Sequence, residues 1–215
     1  MNITKFGHCC LLIEEAGARL LTDPGNYNDT PDIRDLDAIL ITHEHQDHIH
    51  MPALKALLAE NPRTIIITHE GVGKLLDAEH IPYQPITDGG EILVKDVSVK
   101  SFGKDHACIH ADLSPVRNTG FLVAGKLFYP GDSLHNPNIP IEVLALPVSA
   151  PWLKLSEAIE YAKAVKPKIV FPVHDGMLRQ DHRLAPTRSI PRAMLEPLGI
   201  KFVDMVEGSV AEFIV

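Results

Sequence analysis

His43-Glu44-His45-Gln46-Asp47-His48 follows directly on the apolar run 37–42, DAILIT. A short run of β-branched and aliphatic residues bounded by polar ones reads as a buried strand. The six residues after it therefore sit on a loop at the carboxyl end of that strand. Four of the six are imidazoles or a carboxylate, the ligand types a divalent transition metal selects. On extended backbone, residues 43 and 45 point the same way and can grip one ion together. If the chain then turns, Asp47 and His48 face a second ion on the other side. Glu44 and Gln46 alternate with the ligands and point away. Two metals about 4 Å apart can hold a hydroxide between them and clamp an in-line displacement.

One loop cannot complete two such sites, so other strand ends must contribute. Working outward, three polar residues share the context of an apolar strand followed by a polar residue: His106 after the strand ending at Phe102, Asp132 after Phe128-Tyr129-Pro130-Gly131, and His174 after residues 169–173, IVFPV. With the first loop they make a set of seven candidate ligands. Further candidates are Asp23, in the turn Asp23-Pro24-Gly25, which can orient a ligand histidine by accepting its free N–H. His8, after Gly7, is a candidate substrate contact or proton shuttle, and His135 is within reach if the loop after Asp132 folds back. Arg179, His182 and Arg183 are candidates for an anionic group. His50, His69 and His80 have no such context. Trp152 is expected to pack under the core, with a pocket role as the alternative.

Strands are expected at 3–6, 9–14 and 19–22, then at 64–68, 92–95, 97–102, 120–123, 126–129, 143–146 and 169–172, and finally at 200–203 and 209–214. Helices are expected at 52–59, 70–78, 157–165 (capped by Ser156) and 192–198. Strands meander at first and alternate with helices later, which suggests two sheets packed together with helices outside. The 215 residues, 45% hydrophobic, suffice for one domain spanning 1–215. A net charge of −8 argues against a nucleic-acid partner. It leaves room for a small anionic substrate, because metal cations supply local positive charge. Three cysteines, two of them adjacent (Cys9 and Cys10), make no disulfide framework and point to a reducing, cytoplasmic setting. No signal peptide or membrane span is expected. Neither a GxSxG elbow, a GxGxxG fingerprint nor a P-loop is present.

The order HxHxDH, H, GD[ST], PxH, carried here by residues 43–48, His106, Gly131-Asp132-Ser133 and Pro172-Val173-His174, resembles the metallo-β-lactamase superfamily. The Gly7-His8 start and the Asp23-Pro24 turn look like its ascorbate-6-phosphate-lactonase-like branch of short metal-dependent hydrolases. The resemblance implies an α/β fold, an αββα sandwich of two mixed β-sheets packed face to face, with the site at one edge. It implies His43, His45 and His106 on one metal, Asp47, His48 and His174 on the other, and Asp132 bridging both. His110 follows the same strand as His106. His106, nearer the strand end, is preferred as ligand, with His110 lining the pocket.

The activity so implied is that of a binuclear hydrolase using a metal-bound hydroxide on a small ester, lactone or phosphodiester, with Asp132 and Asp47 in catalytic roles. The alternative is an iron-dependent redox or dioxygenase protein on the same scaffold. Zinc is the first choice of metal, and manganese and iron suit the same ligands. The expected partner is a small molecule rather than nucleic acid or a membrane, with self-association left open.

Overall fold

The computed structural model describes every residue except 29–31, 115, 179–184 and 215. The chain opens on an antiparallel meander, β1 (Asn2–Gly7), β2 (Cys10–Glu15) and β3 (Ala18–Thr22), and continues through β4 (Ala38–Leu40), α1 (Met51–Glu60), β5 (Ile65–Thr68), α2 (Glu70–Ala78) and β6 (Gln84–Pro85). A second meander follows in β7 (Glu91–Val94), β8 (Val97–Phe102), β9 (Gly120–Val123) and β10 (Leu127–Tyr129). Then come β11 (Val143–Pro147), α3 (Leu155–Val165), β12 (Ile169–Val173), α4 (Pro186–Leu195), β13 (Lys201–Phe202) and β14 (Val210–Glu212).

The strands form two seven-stranded sheets, ordered β14-β1-β2-β3-β4-β5-β6 and β13-β12-β11-β10-β9-β8-β7. Each is antiparallel on one side and parallel on the other, with the change at β3 and β10. Alternation along the strands explains the layering. In β2, Leu11 and Ile13 face the other sheet, where they join Phe121, Tyr129 and Phe171. Cys10 and Leu12 face the opposite way, onto Leu54 and Leu57 of α1 and Val72 and Leu76 of α2. On the second sheet, Leu122, Phe128 and Leu144 pack against Ile159 and Ala162 of α3. Strands covered on both faces read as unbroken apolar runs, which is why residues 10–13 and 143–146 carry no polar alternation. The result is the four-layered αββα sandwich. Among the described residues no helix is long and apolar enough to cross a membrane.

Two helix starts differ from the sequence reading by more than one residue. α3 begins at Leu155 rather than 157, and its cap is Lys154, whose N–H donates to Glu157 Oε2 at 2.9 Å. The last helix was expected at 192–198, but α4 runs Pro186–Leu195 and passes into a 3₁₀ turn at Glu196–Leu198. Two prolines hid its first half. Pro186 occupies the first turn, where a missing N–H costs nothing, and Pro191 sits inside the helix.

Candidate metal centre

The carboxyl ends of β4, β8, β10 and β12 meet at one edge of the sandwich, and each delivers part of the site. The loop after β4 is held by its neighbours. Asn26 N–H donates to Gln46 O at 2.9 Å and His50 N–H to Pro24 O at 3.0 Å. The close approach needs Gly25, because a Cβ there would lie 1.8 Å from Asp47 O. Within the loop, the N–H groups of His48 and Ile49 both donate to His45 O, closing a turn. That turn separates His43 and His45 from Asp47 and His48.

Two groups of side chains result. The ligand atoms of His43, His45, His106 and Asp132 all lie within 4.8 Å of one another. His43 Nε2 and His45 Nδ1 are 3.0 Å apart. On the other side, His48 and His174 converge, and Asp47 Oδ2 lies 3.8 Å from His48 Nε2 and 3.6 Å from His174 Nε2. Asp132 stands between the groups. Its Oδ1 is 3.1 Å from His48 Nε2, and its Oδ2 is 3.3 Å from His106 Nε2 and 3.0 Å from His174 Nε2.

The outward nitrogens fix the tautomers. His48 Nδ1–H donates to Asp23 Oδ2 at 2.7 Å, His106 Nδ1–H to Ala107 O at 2.5 Å and His174 Nδ1–H to Ser149 O at 2.6 Å. His43 Nδ1–H donates to Thr42 Oγ1 at 2.9 Å, whose own proton goes to Asp23 Oδ2 at 2.7 Å. In His43, His106 and His174 Nε2 is thereby left as an inward lone pair. His48 is pulled the other way: burial opposes its charge, but Asp132 and Asp23 outweigh burial and raise it, a positive charge that a bound cation would supply instead. Nε2 of His48, His106 and His174 and Oδ1 of Asp132 are buried without a hydrogen-bond partner. Four orphaned buried atoms aimed at one small volume would be costly in an ordinary polar core. Neutral imidazole and carboxylate donors at these spacings fit divalent cations.

Electrostatics follow the same plan. Burial pushes His43 and His45 down, toward the neutral form that binds metal. Burial opposes charge on Asp132 as well, but His48 and His174 outweigh it and hold the carboxyl well below its usual range. In Asp47 burial is likewise outweighed, by the hydrogen bond from His8 and the charge of His48, holding it at about 2.

The supporting residues sort clearly. Asp23 is fully buried and also accepts from Thr42 N–H at 2.8 Å and Tyr129 OH at 2.5 Å. His8 is buried too. Gly176 N–H donates to its Nδ1 at 3.0 Å, so Nε2 carries the proton and donates to Asp47 Oδ2 at 3.2 Å. Burial, partly offset by Asp47, pushes His8 down to about 4. It is a neutral donor that holds Asp47. Cys9 Sγ lies beside His8, His48 and His174, but burial, with Asp132 and Asp23 nearby, raises it and keeps it a thiol.

Two candidates do not join the ligands, although His110 lines the small hollow beside His106. His110 is 66% exposed; Leu113 N–H donates to its carbonyl, closing a turn that aims the ring outward, where it accepts from Asp112 N–H at 3.2 Å. His135 is exposed and lies over Gly103, whose added Cβ would come 3.2 Å from its Cγ. Its main chain is tied down instead, accepting from Tyr161 OH at 2.7 Å. Arg179, His182 and Arg183 lie outside the described residues.

Several residues that hold the site were not singled out from the sequence. Trp152 Nε1–H donates to Asp132 Oδ2 at 2.9 Å, so this indole faces the site instead of the core. Asn118 Oδ1 accepts from Asp132 N–H at 3.0 Å. His69 donates to Thr42 O at 3.1 Å behind His43. Behind His174, Lys5 Nζ donates to Asp175 Oδ2 at 2.7 Å and Oδ1 at 2.9 Å, and Arg188 reaches the same carboxylate at 2.5 Å. This buried ionic cluster anchors the turn in which His174 takes φ +58°. Of these, only Lys5, a charge inside a strand, carried any signal; Arg188 sits in a helix with other polar side chains.

Above the ligands opens a cavity of about 270 Å³ bordered by His45, Asp47, His106, Asp132 and His174. A larger one, about 490 Å³, lies behind Thr42, lined by His69, Arg117 and Asn118, and borders neither ligand group.

A sandwich with such a centre at its edge is the architecture of the metallo-β-lactamase fold. The beta-lactamase superfamily domain matches residues 2–174, and the chain belongs to that family. Protein Rv0786c of Mycobacterium tuberculosis is 37% identical over 189 residues, 85% of this chain and 88% of that one. A UPF0173 metal-dependent hydrolase of Carboxydothermus hydrogenoformans is 28% identical over 194 residues, 81% and 84% of the two chains. Among solved structures, a putative metal-dependent hydrolase from Parabacteroides distasonis superposes with a TM-score of 0.76 at 24% identity, covering 94% of this chain and 91% of that one. The diiron β-hydroxylase CmlA from Streptomyces venezuelae gives 0.77 at 16% identity, covering 99% of this chain and 54% of that one. At these identities the structures speak to the fold alone.

Proposed function

We propose that the protein is a binuclear metal-dependent hydrolase acting on a small ester, lactone or phosphodiester. The observation that carries this reading is Asp132, whose Oδ1 faces His48 and whose Oδ2 faces both His106 and His174, so that one carboxylate touches both ligand groups. The relatives named as metal-dependent hydrolases support it. His43, His45 and His106 would hold one ion, Asp47, His48 and His174 the other, and Asp132 both. Zinc is the proposed metal. When bound, such a pair supplies a hydroxide nucleophile at neutral pH and polarises the substrate oxygen.

The chain's own residues do the rest. Asp132, held by Trp152 and by Asn118, keeps a fixed carboxylate where a proton must be received. Neutral His8 keeps Asp47 turned toward the cavity. Asp23, through His48, fixes the orientation of one imidazole. The cavity admits a small molecule and excludes bulk solvent from its floor. A small-molecule partner and a reducing cytoplasmic setting belong to the same proposal; the three free thiols support the latter.

The test is elemental analysis of purified protein, joined to a turnover screen of lactones, esters and phosphodiesters. His45→Ala and Asp47→Ala are expected to lose both bound metal and turnover. Full activity in a metal-free preparation would overturn the reading. Iron content together with oxygen consumption would favour a redox protein instead, a reading that the fold shared with CmlA keeps in view.

A further inference from the structure

Around the metal cavity, beside the polar Asn26 and Gln46, stand apolar residues that come from separate loops. Tyr27 follows β3, Ile109 follows β8, Pro151 and Trp152 follow β11, and Met177 follows β12. Tyr27 is 47% exposed, Ile109 42% and Met177 38%. Large apolar side chains left in water singly mean little, but their convergence from independent loops on one opening marks a surface built to be covered. Among the described residues the lining carries no lysine or arginine, and its carboxylates, Asp47 and Asp132, belong to the ligand groups. The apolar residues also continue into an adjoining hollow of mixed lining, which includes His110 and Ser114. His106 and Ile109 form one wall of this hollow of about 220 Å³, which Leu113 and Val116 extend.

We infer that the substrate is an uncharged ester or lactone bearing an alkyl or aryl group, which lies against Tyr27, Ile109, Trp152 and Met177 and runs toward Leu113. This rests on the hydrolase reading and narrows it, placing phosphodiesters outside the preferred class. The ester carbonyl sits over the ligand groups. The apolar group supplies binding through burial, and the rim discriminates by the length of chain it covers.

The experiment compares p-nitrophenyl acetate, butyrate and hexanoate with methyl p-nitrophenyl phosphate on the metal-loaded protein. kcat/KM is expected to rise about fourfold per added methylene until the cavity is filled, and to be lowest for the phosphodiester. Ile109→Ser and Met177→Ser, both at exposed positions, should lower the hexanoate-to-acetate ratio at unchanged metal content. A second arm needs no turnover. Trp152 is the sole tryptophan, and N-hexylacetamide should shift its emission at concentrations where N-methylacetamide does not. If no ester is cleaved but the amides still discriminate by length, the hydrolase reading fails and the apolar site stands. Flat or falling length dependence in either arm, or preference for the phosphodiester, overturns the inference.

Discussion

The indole N–H of Trp152 donates to Oδ2 of Asp132 at 2.9 Å, and the same ring stands edge-on to His106 and His174, with centroids 5.8 and 6.3 Å away. One side chain thus touches the carboxylate between the two ligand groups and a histidine from each. Trp152→Phe keeps an aromatic wall and removes the donor. Partners of this kind are worth about 10–100-fold in metal affinity. The variant should therefore need correspondingly more zinc in a chelator competition, with its circular dichroism unchanged. An unaltered affinity would show the hydrogen bond to be incidental.

Asp23 accepts from His48, from Thr42 twice and from Tyr129. Asp23→Asn puts an amide donor among these donors and deprives His48 of its charged acceptor. Metal affinity should fall at least tenfold. Tyr129→Phe deletes only one of the donors and should cost about 1.5–3 kcal/mol of stability, the range for a hydrogen bond to a charged group. Equal affinity in wild type and Asp23→Asn would refute the orienting role.

Cys9 and Cys10 are buried and Cys108 is exposed. Burial raises both buried thiols, so neither forms the thiolate that alkylating reagents need. Iodoacetamide at pH 8 should modify Cys108 alone in the native protein and all three residues in denaturant. Mass spectrometry reads the result, and rapid native labelling of Cys9 or Cys10 contradicts it.

Glu15, at the end of β2, joins the sheets by accepting from Lys126 Nζ at 2.8 Å, beside the amino terminus at 3.0 Å. The bond from Lys126 lowers its carboxyl, burial opposing and the terminal amine assisting. A carboxyl depressed in the fold stabilises above its unfolded pKa, and that contribution is lost as pH falls through the folded value. Glu15→Gln should cost about 0.5–1 kcal/mol at pH 7. In urea titrations the gap to wild type should close below pH 4. A gap that widens in acid has the wrong sign for this linkage.

The seven ligand candidates were legible because metal chemistry selects residue type, and type is visible in a sequence. Asp23 was legible for the same reason. Orientation was not: His110 and His135 lie within four residues of His106 and Asp132 and still turn away, since each is set by a local turn or by its main-chain tether. The residues that hold the ligands were hidden because their partners are remote in the chain. Lys5 meets Asp175, and Trp152 meets Asp132, only after the sheets have docked. A tryptophan after a proline reads as packing until the fold turns its N–H toward a carboxylate.

The two ligand groups draw on both sheets, since the loop after β4 belongs to one and His106, Asp132 and His174 to the other. A half-made chain ending after β6 has six strands of the first sheet, a fragment of each nest and little affinity for an ion. Avid capture waits until the seam between the sheets has closed in register. Metal uptake is in this sense an inspection of assembly: a misdocked copy stays empty and less stable, and is left to the proteases that clear unfolded chains.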